Sequence, residues 1–419
     1  MDKISELPDE LILTVLSSLP AKDVVSTMVL SKRWKFLWMF VPKLECDYND
    51  RRLCRFVNSL MLLHEAPVLE CLRFNVSQKT GAILNIGALK RGLREVIIET
   101  DDSPSLTKTL VLLPRPCFGT TLAALRLSNV VLVDVYSSPL SFPSLKILSL
   151  GSVIYPCGEF VNRILSGCPV LQDLEVQRCE HDNVMIFVVR VPSLESLWLL
   201  TSPDKAKDDA HGFVVEAPSL KILNILDYSS GFCTIDKKMH KIVSANLDVD
   251  YSCTKKLLGR MASVQQLYLC LSTSMEAYHE GRKYSQLVWL ELCTCQIEWF
   301  NLLMRLLKDS PKLRFLKLEQ YHQDRTVRVM PCWSEPSYVP ECLTSSLETF
   351  EWVGYDGREE EKQVARFILG NSHRLKTATF YHEATVPEEK LIELSMLRRS
   401  SSICELACKE SYGQIPRYR

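Results

Sequence analysis

A short leucine phrase, L-x-x-L-x-L, recurs along most of this 419-residue chain and constrains its fold more than any other feature. Its first position returns every 23–29 residues, apart from one interval of 44 that contains a degraded copy, SANLDVD, at residues 244–250. These anchor positions are Leu69, Leu93, Leu122, Leu145, Leu171, Leu194, Leu220, Val264, Leu287 and Leu313. A unit this short cannot bury its apolar side alone, so the copies must stack and share a core with their neighbours.

The phrase and its period are typical of leucine-rich repeats. In each copy the terminal L-x-L predicts a short strand, because alternate residues of a strand face opposite sides and the leucines then all face the core. Between the strands, residues 158–166 and 298–308 have helical apolar spacing. We therefore predict an α/β fold, with a leucine-rich-repeat solenoid over residues 46–330 that is curved and has parallel strands on its concave face.

The strand residues that alternate with the core leucines are expected to line this concave face. Four of them are aromatic, and exposed aromatic side chains are enriched at binding hot spots. The predicted target-binding residues are Asp173, Glu175, Trp198, Tyr268, Trp289, Glu291, Phe315 and Lys317. A second interpretation stays open, in which the aromatic side chains only stack on those of adjacent strands.

The first forty residues predict three short helices ahead of the repeats. Pro8 suits the first position of a helix, Pro20 ends that helix, and Ser31 is a suitable N-cap for the third. The apolar surface of these helices is too wide for a unit with so little interior. Each large apolar side chain left in water forfeits about 1.5–3 kcal/mol. We therefore expect a partner, or the rest of the chain, to cover the surplus.

The string ISELPDELILTVLSSLPAKDVVSTMVLSKRWKFLW, residues 4–38, resembles an F-box over its whole length. F-boxes dock a Skp adaptor, which links them to a cullin-based ubiquitin ligase. The resemblance implies that residues 1–45 bind this adaptor through apolar side chains. The implied adaptor-binding residues are Leu7, Pro8, Leu11, Ile12, Val15, Leu16, Leu19, Val24, Val25, Val29, Leu30, Trp34, Leu37 and Trp38. The alternative is a helical cap that closes one end of the repeat array.

Residues 332–375 resemble the FBD module that follows leucine-rich repeats in many plant F-box proteins. The matching marks are Trp333, Pro336, Val339-Pro340, Cys342-Leu343, Trp352, Tyr355, Gly357 and residues 369–375. Ser372 stands where alanine is more usual. The leucine phrase survives at residues 346–352 and 374–380, so we expect the module to continue the repeat pattern over residues 331–410. The resemblance implies the plant F-box/FBD/leucine-rich-repeat family and assigns the module no activity.

The charge balance excludes two classes of partner. The chain has 50 lysines and arginines and 50 aspartates and glutamates. Contact with phosphates needs a basic surplus, so we expect neither nucleic acid nor an anionic membrane as a partner. We also expect no secretory leader and no membrane span, because the apolar runs fall short of the ~20 residues that a span needs. The mixed run REEEK at residues 358–362 predicts a solvent-exposed helix face.

The 16 cysteines are scattered without regular spacing, which favours reduced thiols and a location in the cytoplasm, the nucleus or both. Cys293 and Cys295 are close in sequence, as are Cys404 and Cys408, but neither pair has a matching second pair or nearby histidines. We therefore predict no metal site. Cys179 and Cys295 follow strands where leucine-rich repeats place an asparagine or cysteine in the turn, which predicts a structural role for both.

No catalytic motif is present, and the eight histidines are spread singly. We therefore predict a protein that is not an enzyme and that needs no cofactor. The leading interpretation is a substrate-recognition subunit of a Skp–cullin–F-box ubiquitin ligase, whose repeats hold an unknown target protein. Two alternatives stay open. One is a ligand-gated receptor of the same ligase class, with a small molecule in the concave pocket, and the other is a repeat scaffold outside any ligase.

Overall fold

The computed structural model describes residues 4, 6–48, 63–66, 68–76, 83–85, 92–101, 109–113, 120–134, 139–202, 210–236, 239–251, 254–271, 284–295, 299–320, 336–383 and 386–410. The chain divides into two compact units. Unit 1 comprises Met1–Ala206 and Ala210–Leu220, and unit 2 comprises Lys207–Asp209 and Lys221–Arg419. Each unit is a run of repeat coils.

Unit 1 begins with the three predicted short helices. They are α1 (Asp9–Leu16), α2 (Ala21–Ser26) and α3 (Trp34–Leu37). A single turn of 3-10 helix extends α2 through Thr27–Val29, and another extends α3 through Trp38–Phe40. The Trp34 backbone N–H donates to Ser31 Oγ at 3.5 Å, a long bond that gives the predicted N-cap only weak support.

The repeat coils of unit 1 supply one long parallel sheet. The strands of this unit are β1 (Lys43–Tyr48), β2 (Val68–Val76), β3 (Ile83–Asn85), β4 (Gly92–Thr100), β5 (Thr109–Leu112), β6 (Ala124–Ser128), β7 (Val130–Val133), β8 (Ile147–Gly151), β9 (Asp173–Arg178), β10 (Ile186–Arg190), β11 (Ser196–Thr201) and β12 (Gly212–Glu216). The long sheet runs β1-β2-β4-β6-β8-β9-β11, and every pairing in it is parallel.

The register places one apolar residue of every coil in a single buried ladder. Its members face each other across successive strands and are at most 2% exposed. They are Leu44, Leu72, Val96, Leu125, Leu148, Leu174 and Leu197. The seven buried anchor leucines between Leu69 and Leu220 flank this ladder, which confirms the predicted stacking in unit 1.

The return segments of these coils differ in part from the predicted strand–helix alternation. Helix α4 (Gly158–Ser166) has the predicted bounds. In other coils with a described return segment, that segment is a strand: β3, β5 and β7 form one small parallel sheet, and β10 pairs with β12. Runs such as VVLV in β7 and IFVVR in β10 are rich in valine and isoleucine, which favour a pleated surface over a helix.

Unit 2 repeats this plan with more helices. Its strands are β13 (Ile222–Asp227), β14 (Phe232–Ile235), β15 (Ser244–Val249), β16 (Gln266–Leu271), β17 (Trp289–Cys293), β18 (Phe315–Glu319), β19 (Thr349–Val353), β20 (Thr377–His382) and β21 (Glu405–Glu410). Its helices are α5 (Lys255–Leu258), α6 (Trp299–Asp309), α7 (Glu341–Ser345), α8 (Glu359–Asn371) and α9 (Glu388–Ser395). No helix in the described part of the chain has the length and apolar character to cross a bilayer.

The strands β13 and β15 to β21 form a parallel series in which Leu223, Ala245, Leu267, Leu290, Leu316, Phe350, Ala378 and Leu406 face one another. The degraded copy at residues 244–250 forms β15, so it is a full member of the array. Helix α6 lies within one residue of its predicted position.

Aromatic side chains fill the core of the FBD-like segment. Trp352 packs edge-on against Tyr355 and Phe350, with ring centroids 5.4 and 6.2 Å apart, and stacks on Phe380 at 6.3 Å. Tyr355 and Phe350 are fully buried. Of the marks that carry the resemblance, Trp352 and Tyr355 are therefore core residues. Trp333, another mark, lies outside the described residues.

The prediction of a solvent-exposed face for the REEEK run is wrong for one residue. Glu361 is 8% exposed at the start of α8. Its Oε2 accepts backbone N–H groups from Asp356 at 3.0 Å and Arg358 at 3.2 Å. A glutamate three residues into a helix can reach back to the unpaired donors ahead of it, and here that bond draws the side chain inward.

Candidate partner-binding surfaces

The N-terminal helices have a small core of their own. Six of the fourteen implied adaptor-binding residues lie in it and are at most 8% exposed: Ile12, Leu16, Val24, Trp34, Leu37 and Trp38. The Arg33 side chain closes the group, since its Nε donates to Asp9 Oδ1 at 2.8 Å and its Nη2 to the Leu7 carbonyl at 2.6 Å. The six residues therefore pack inside the helices and not on their surface.

One side of the helices covers the first repeat coil. Helix α2 packs against β1, and Val41 at their junction is fully buried. His64 Nε2 lies 2.9 Å from the Val41 carbonyl, and the backbone N–H groups of Glu65 and Ala66 donate to the Met39 carbonyl at 2.7 and 3.0 Å. These helices therefore also do what a repeat cap does.

The rest of the helical surface remains open and apolar. Six large apolar residues of the helices are 40–88% exposed: Leu11, Val15, Val29, Leu30, Phe36 and Phe40. Leu7, Leu19 and Val25 are half-buried, and Pro8 is exposed. The first coil thus leaves the predicted surplus uncovered. Phe36 and Phe40 are absent from the implied adaptor-binding set, although their spacing from Trp34 and Trp38 already puts them on another side of the helix.

The second candidate surface is the outer face of the sheet, the side opposite the leucine core. This is the side on which the sequence places the predicted target-binding residues. In unit 1 it is polar, with Asp173 and Glu175 exposed and Trp198 half-buried. Burial raises the pKa of Asp173, with a further contribution from Glu195. A shallow pocket of about 270 Å³ lies on this face and is lined by Glu99, Arg126, Leu127, Ser128, Ser149, Gly151, Glu175 and Gln177.

In unit 2 the outer face carries a stacked aromatic pair. The rings of Trp289 and Phe315 lie 3.4 Å apart between centroids and 11° from parallel. Trp289 Nε1–H donates to Glu291 Oε1 at 2.9 Å, and Glu291 is 4% exposed. Lys317 Nζ lies 3.7 Å from Glu291 and 2.7 Å from Glu319. The two rings thus stack across adjacent strands, and Glu291 is an internal partner of Trp289 and Lys317. Target binding by these residues stays a prediction.

The register shows which predicted outer-face residues lie together. Trp198 is paired with Glu175 across β9 and β11, and in unit 2 Tyr268 is paired with Glu291 and Glu291 with Lys317. Asp173, Glu175 and Trp198 thus form one group on unit 1. The predicted residues of β16, β17 and β18 form a second group on unit 2.

A group of three thiols in unit 2 was not predicted from the sequence. Cys295 Sγ lies 2.6 Å from Cys293 Sγ and 3.4 Å from Cys270 Sγ. Hydrogen bonds with the other two thiols, and then burial, raise the pKa of Cys270 well above its ordinary value. Cys270 and Cys293 occupy the same position in successive copies of the leucine phrase. Aligning successive copies of the leucine phrase therefore predicts that Cys270 and Cys293 are neighbours, which the spacing of cysteines along the chain does not.

Comparison with known proteins identifies the regions that contain these surfaces. The family model of the F-box domain matches residues 4–45, and that of the FBD matches residues 335–380. A model described as the leucine-rich repeats of FBD-associated F-box protein At5g56370 matches residues 82–246. An FBD-associated F-box protein of Arabidopsis thaliana, At5g56390, is 48% identical over 424 residues, which cover 97% of this chain and 99% of the relative. The chain belongs to the FBD-associated F-box family.

Two further relatives from Arabidopsis thaliana support this assignment. The probable FBD-associated F-box protein At1g32375 is 48% identical over 97% of this chain and 100% of its own length. The F-box/FBD/LRR-repeat protein At5g56420 is 43% identical over 97% of this chain and 98% of its own length. Like other members of the FBD-associated F-box family, the chain combines an F-box, leucine-rich repeats and an FBD, which is the domain set of an adaptor-type protein.

Proposed function

We propose that this protein is the substrate-recognition subunit of a Skp–cullin–F-box ubiquitin ligase. The observation that carries the proposal is the exposed apolar surface of Leu11, Val15, Val29, Leu30, Phe36 and Phe40, which lies within the segment that matches the F-box domain. Contact with a Skp adaptor would remove these side chains from water and gain about 1.5–3 kcal/mol for each one fully covered.

In this role the chain supplies proximity. The adaptor connects it to a cullin, and other subunits carry the activated ubiquitin. A target protein held on the repeats would then present its lysines at high effective concentration, which is a recognised source of rate. The chain itself acts without catalysis and without a cofactor. We place this activity in the cytoplasm or nucleus, because no cysteine in the described ranges forms a disulfide.

We further propose that the target contacts the outer face of the sheet. The group of Asp173, Glu175 and Trp198 on unit 1 combines a half-buried aromatic ring, a residue type enriched at binding hot spots, with two exposed carboxylates suited to the polar rim of an interface. Small-molecule sites are lined mostly by apolar and aromatic side chains, whereas Leu127 supplies the one apolar side chain among the residues that line the pocket on this face. This polar lining favours a protein target over a small molecule in the pocket.

A binding experiment with the full chain tests the adaptor role. Val29 and Leu30 are 88% and 60% exposed, so the double variant Val29→Glu/Leu30→Glu is expected to fold. We expect it to bind a purified Skp adaptor at least about tenfold more weakly than the parent, because both side chains lose their apolar contact. Ile403→Glu is a matched control, an exposed apolar residue of unit 2 that should bind as the parent does.

Two results would contradict the proposal, the first its adaptor role and the second its assignment of the interface to the exposed F-box surface. The first is a parent chain that binds no Skp adaptor, which would leave the scaffold interpretation. The second is a double variant that binds as tightly as the Ile403→Glu control, which would place the interface elsewhere.

A further inference from the structure

Three cysteine thiols converge at the ends of two neighbouring strands of unit 2. Cys270 lies in β16, Cys293 ends β17, and Cys295 follows two residues later. All three sulfur atoms lie within 4.8 Å of one another, and none of the three forms a disulfide. This is the one group of three or more potential metal ligands found among the described residues.

These cysteines do not replace core leucines. In β16 the leucines at positions 267, 269 and 271 face the core, so Cys270 belongs to the alternate, outward row. The same alternation puts Cys293 on the outward row of β17. In the flanking strands this row carries Asp248, paired with Cys270, and Glu319, paired with Cys293. Polar residues precede and follow the two thiols along the row, so apolar core packing does not explain them.

Burial and a neighbouring carboxylate make the group suitable for a cation. Cys270 and Cys293 are 4% and 3% exposed, and Asp248 is 8% exposed. The hydroxyl of Tyr228 donates to Asp248 Oδ2 at 2.6 Å, which fixes the orientation of the carboxylate. Metal-binding carboxylates and imidazoles are commonly held by such a second hydrogen bond.

We propose that Cys270, Cys293 and Cys295 bind a soft metal cation of the class of Zn²⁺ through their three sulfurs, with the Asp248 carboxylate, which is paired with Cys270 across the strands, as a nearby negative charge that attracts the cation. Sulfurs around a tetrahedral zinc lie about 3.8 Å apart, given Zn–S bonds of about 2.3 Å. The Cys293 and Cys295 sulfurs must therefore separate by about 1 Å, a movement within the reach of side-chain rotation. Each S–H bond is replaced by an S–Zn bond, and the thiol protons pass to solvent.

A redox switch is the competing role for such a group, and the burial of the site disfavours it. Redox-sensing cysteines are accessible to solvent, whereas Cys270 and Cys293 are buried. A metal ligand needs neither an exposed position nor an oxidant.

Metal binding by the full, reduced chain tests the site. The parent is dialysed against Zn²⁺ and its bound zinc is counted, and Co²⁺ is then substituted so that the thiolate-to-cobalt charge-transfer absorption reports sulfur ligands. The variants are Cys293→Ser/Cys295→Ser and Asp248→Asn. Cys233→Ser is the matched control, because Cys233 is another buried free cysteine of unit 2 outside the group.

We expect about one zinc per chain in the parent and in Cys233→Ser, loss of that zinc in the double variant, and weaker binding in Asp248→Asn. Zinc should also raise the thermal midpoint of the parent and leave that of the double variant unchanged. The proposal fails if the parent shows no thiolate-to-cobalt band, a result that needs no variant to fold. It also fails if the double variant retains the zinc, or if mass spectrometry of the chain finds a disulfide within the group. None of these outcomes depends on adaptor binding.

Discussion

Arg178 and Asp182 form an ion pair in the interior of unit 1. Their side chains are 2% and 3% exposed, with Arg178 Nε 2.5 Å from Asp182 Oδ2. The guanidinium also donates to the Val184 carbonyl and lies over the Phe213 ring at 5.4 Å from its centroid. The pair thus ties the turn after β9 to the return strands. Nothing in the leucine phrase predicts it, because the positions sit outside the repeated pattern.

Removing one member of this pair should be costly. In Asp182→Ala the Arg178 charge stays buried without its carboxylate, and we expect the free energy of unfolding to fall by about 3–5 kcal/mol. Urea denaturation of both proteins measures the difference. The matched control is Glu216→Gln, which breaks the exposed pair of Arg190 and Glu216 and should leave the urea midpoint unchanged. Equal midpoints for parent and Asp182→Ala would contradict the buried-charge argument.

Glu361 makes the free energy of unfolding depend on pH, and the direction of its pKa shift gives the sign of that dependence. Burial raises its pKa above the ordinary value, although the backbone N–H groups of Arg358 and Asp356 partly oppose the shift. The folded state therefore holds the proton more tightly, so its contribution to stability is fully present below the unfolded pKa of about 4.3 and is lost as pH rises through the folded pKa.

The variant Glu361→Gln should remove this dependence. We expect the difference in the free energy of unfolding, parent minus variant, to decrease as pH rises from about 4 to 7, because only the parent has a carboxyl group at position 361 that ionises. Urea midpoints at matched pH values measure it, and Lys362→Gln, a change at the neighbouring residue, is the control. A difference that stays constant over this range would show that the Glu361 pKa is not raised.

At the scale of elements, the leucine phrase predicts strands better than it predicts the segments between them. The anchors and L-x-L pairs depend on a fixed spacing, and the strands lie where the phrase places them. The return segments depend on how neighbouring coils pack. Val188 and Val189 can enter a strand only because Val214 and Val215 lie opposite them in β12, and that pairing spans 26 residues.

Gly167, at the end of α4, marks a close approach between two chain segments. A Cβ built at this position would lie 2.5 Å from the Leu140 carbonyl oxygen, and the backbone cannot move aside easily because Phe142 N–H donates to the Gly167 carbonyl at 2.7 Å. We expect Gly167→Ala to lower the free energy of unfolding by about 1–3 kcal/mol, measured by urea denaturation.

Gly158, at the start of the same helix, is the control for this prediction. A Cβ there meets nothing within 4 Å, so Gly158→Ala should be neutral or stabilise the protein by up to about 1 kcal/mol. If both alanine variants were equally stable, the close contact with Leu140 would have no energetic consequence.

At the scale of the whole molecule, the sequence predicted the surplus apolar surface of the F-box but not its composition. Helical spacing separates Trp34 from Phe36, yet only the packed helices show that Trp34 is interior while Phe36 is 57% exposed. The same limit applies to the outer face of the sheet. Alternation identifies Trp289 and Glu291 as outward residues, whereas the hydrogen bond that buries Glu291 arises between side chains and has no sequence pattern.

The exposed F-box surface should make the isolated chain self-associate, because contact between copies also removes apolar area from water. We expect Val29→Asp/Phe36→Asp to lower the weight-average mass seen in sedimentation of the concentrated parent. Met396→Asp introduces a charge at an exposed apolar residue of unit 2 and should change the mass less. The idea fails if the parent is monomeric at every concentration.

The last strand, β21, pairs with β20 and with no other strand among the described residues. Its open side would be a template on which a foreign strand could be added, the first step of cross-β growth. Glu405, Lys409 and Glu410 are exposed along this strand. Ionic side chains at such an edge act as gatekeepers, because a second strand would have to desolvate them. We therefore expect these three residues to protect the array against templated aggregation.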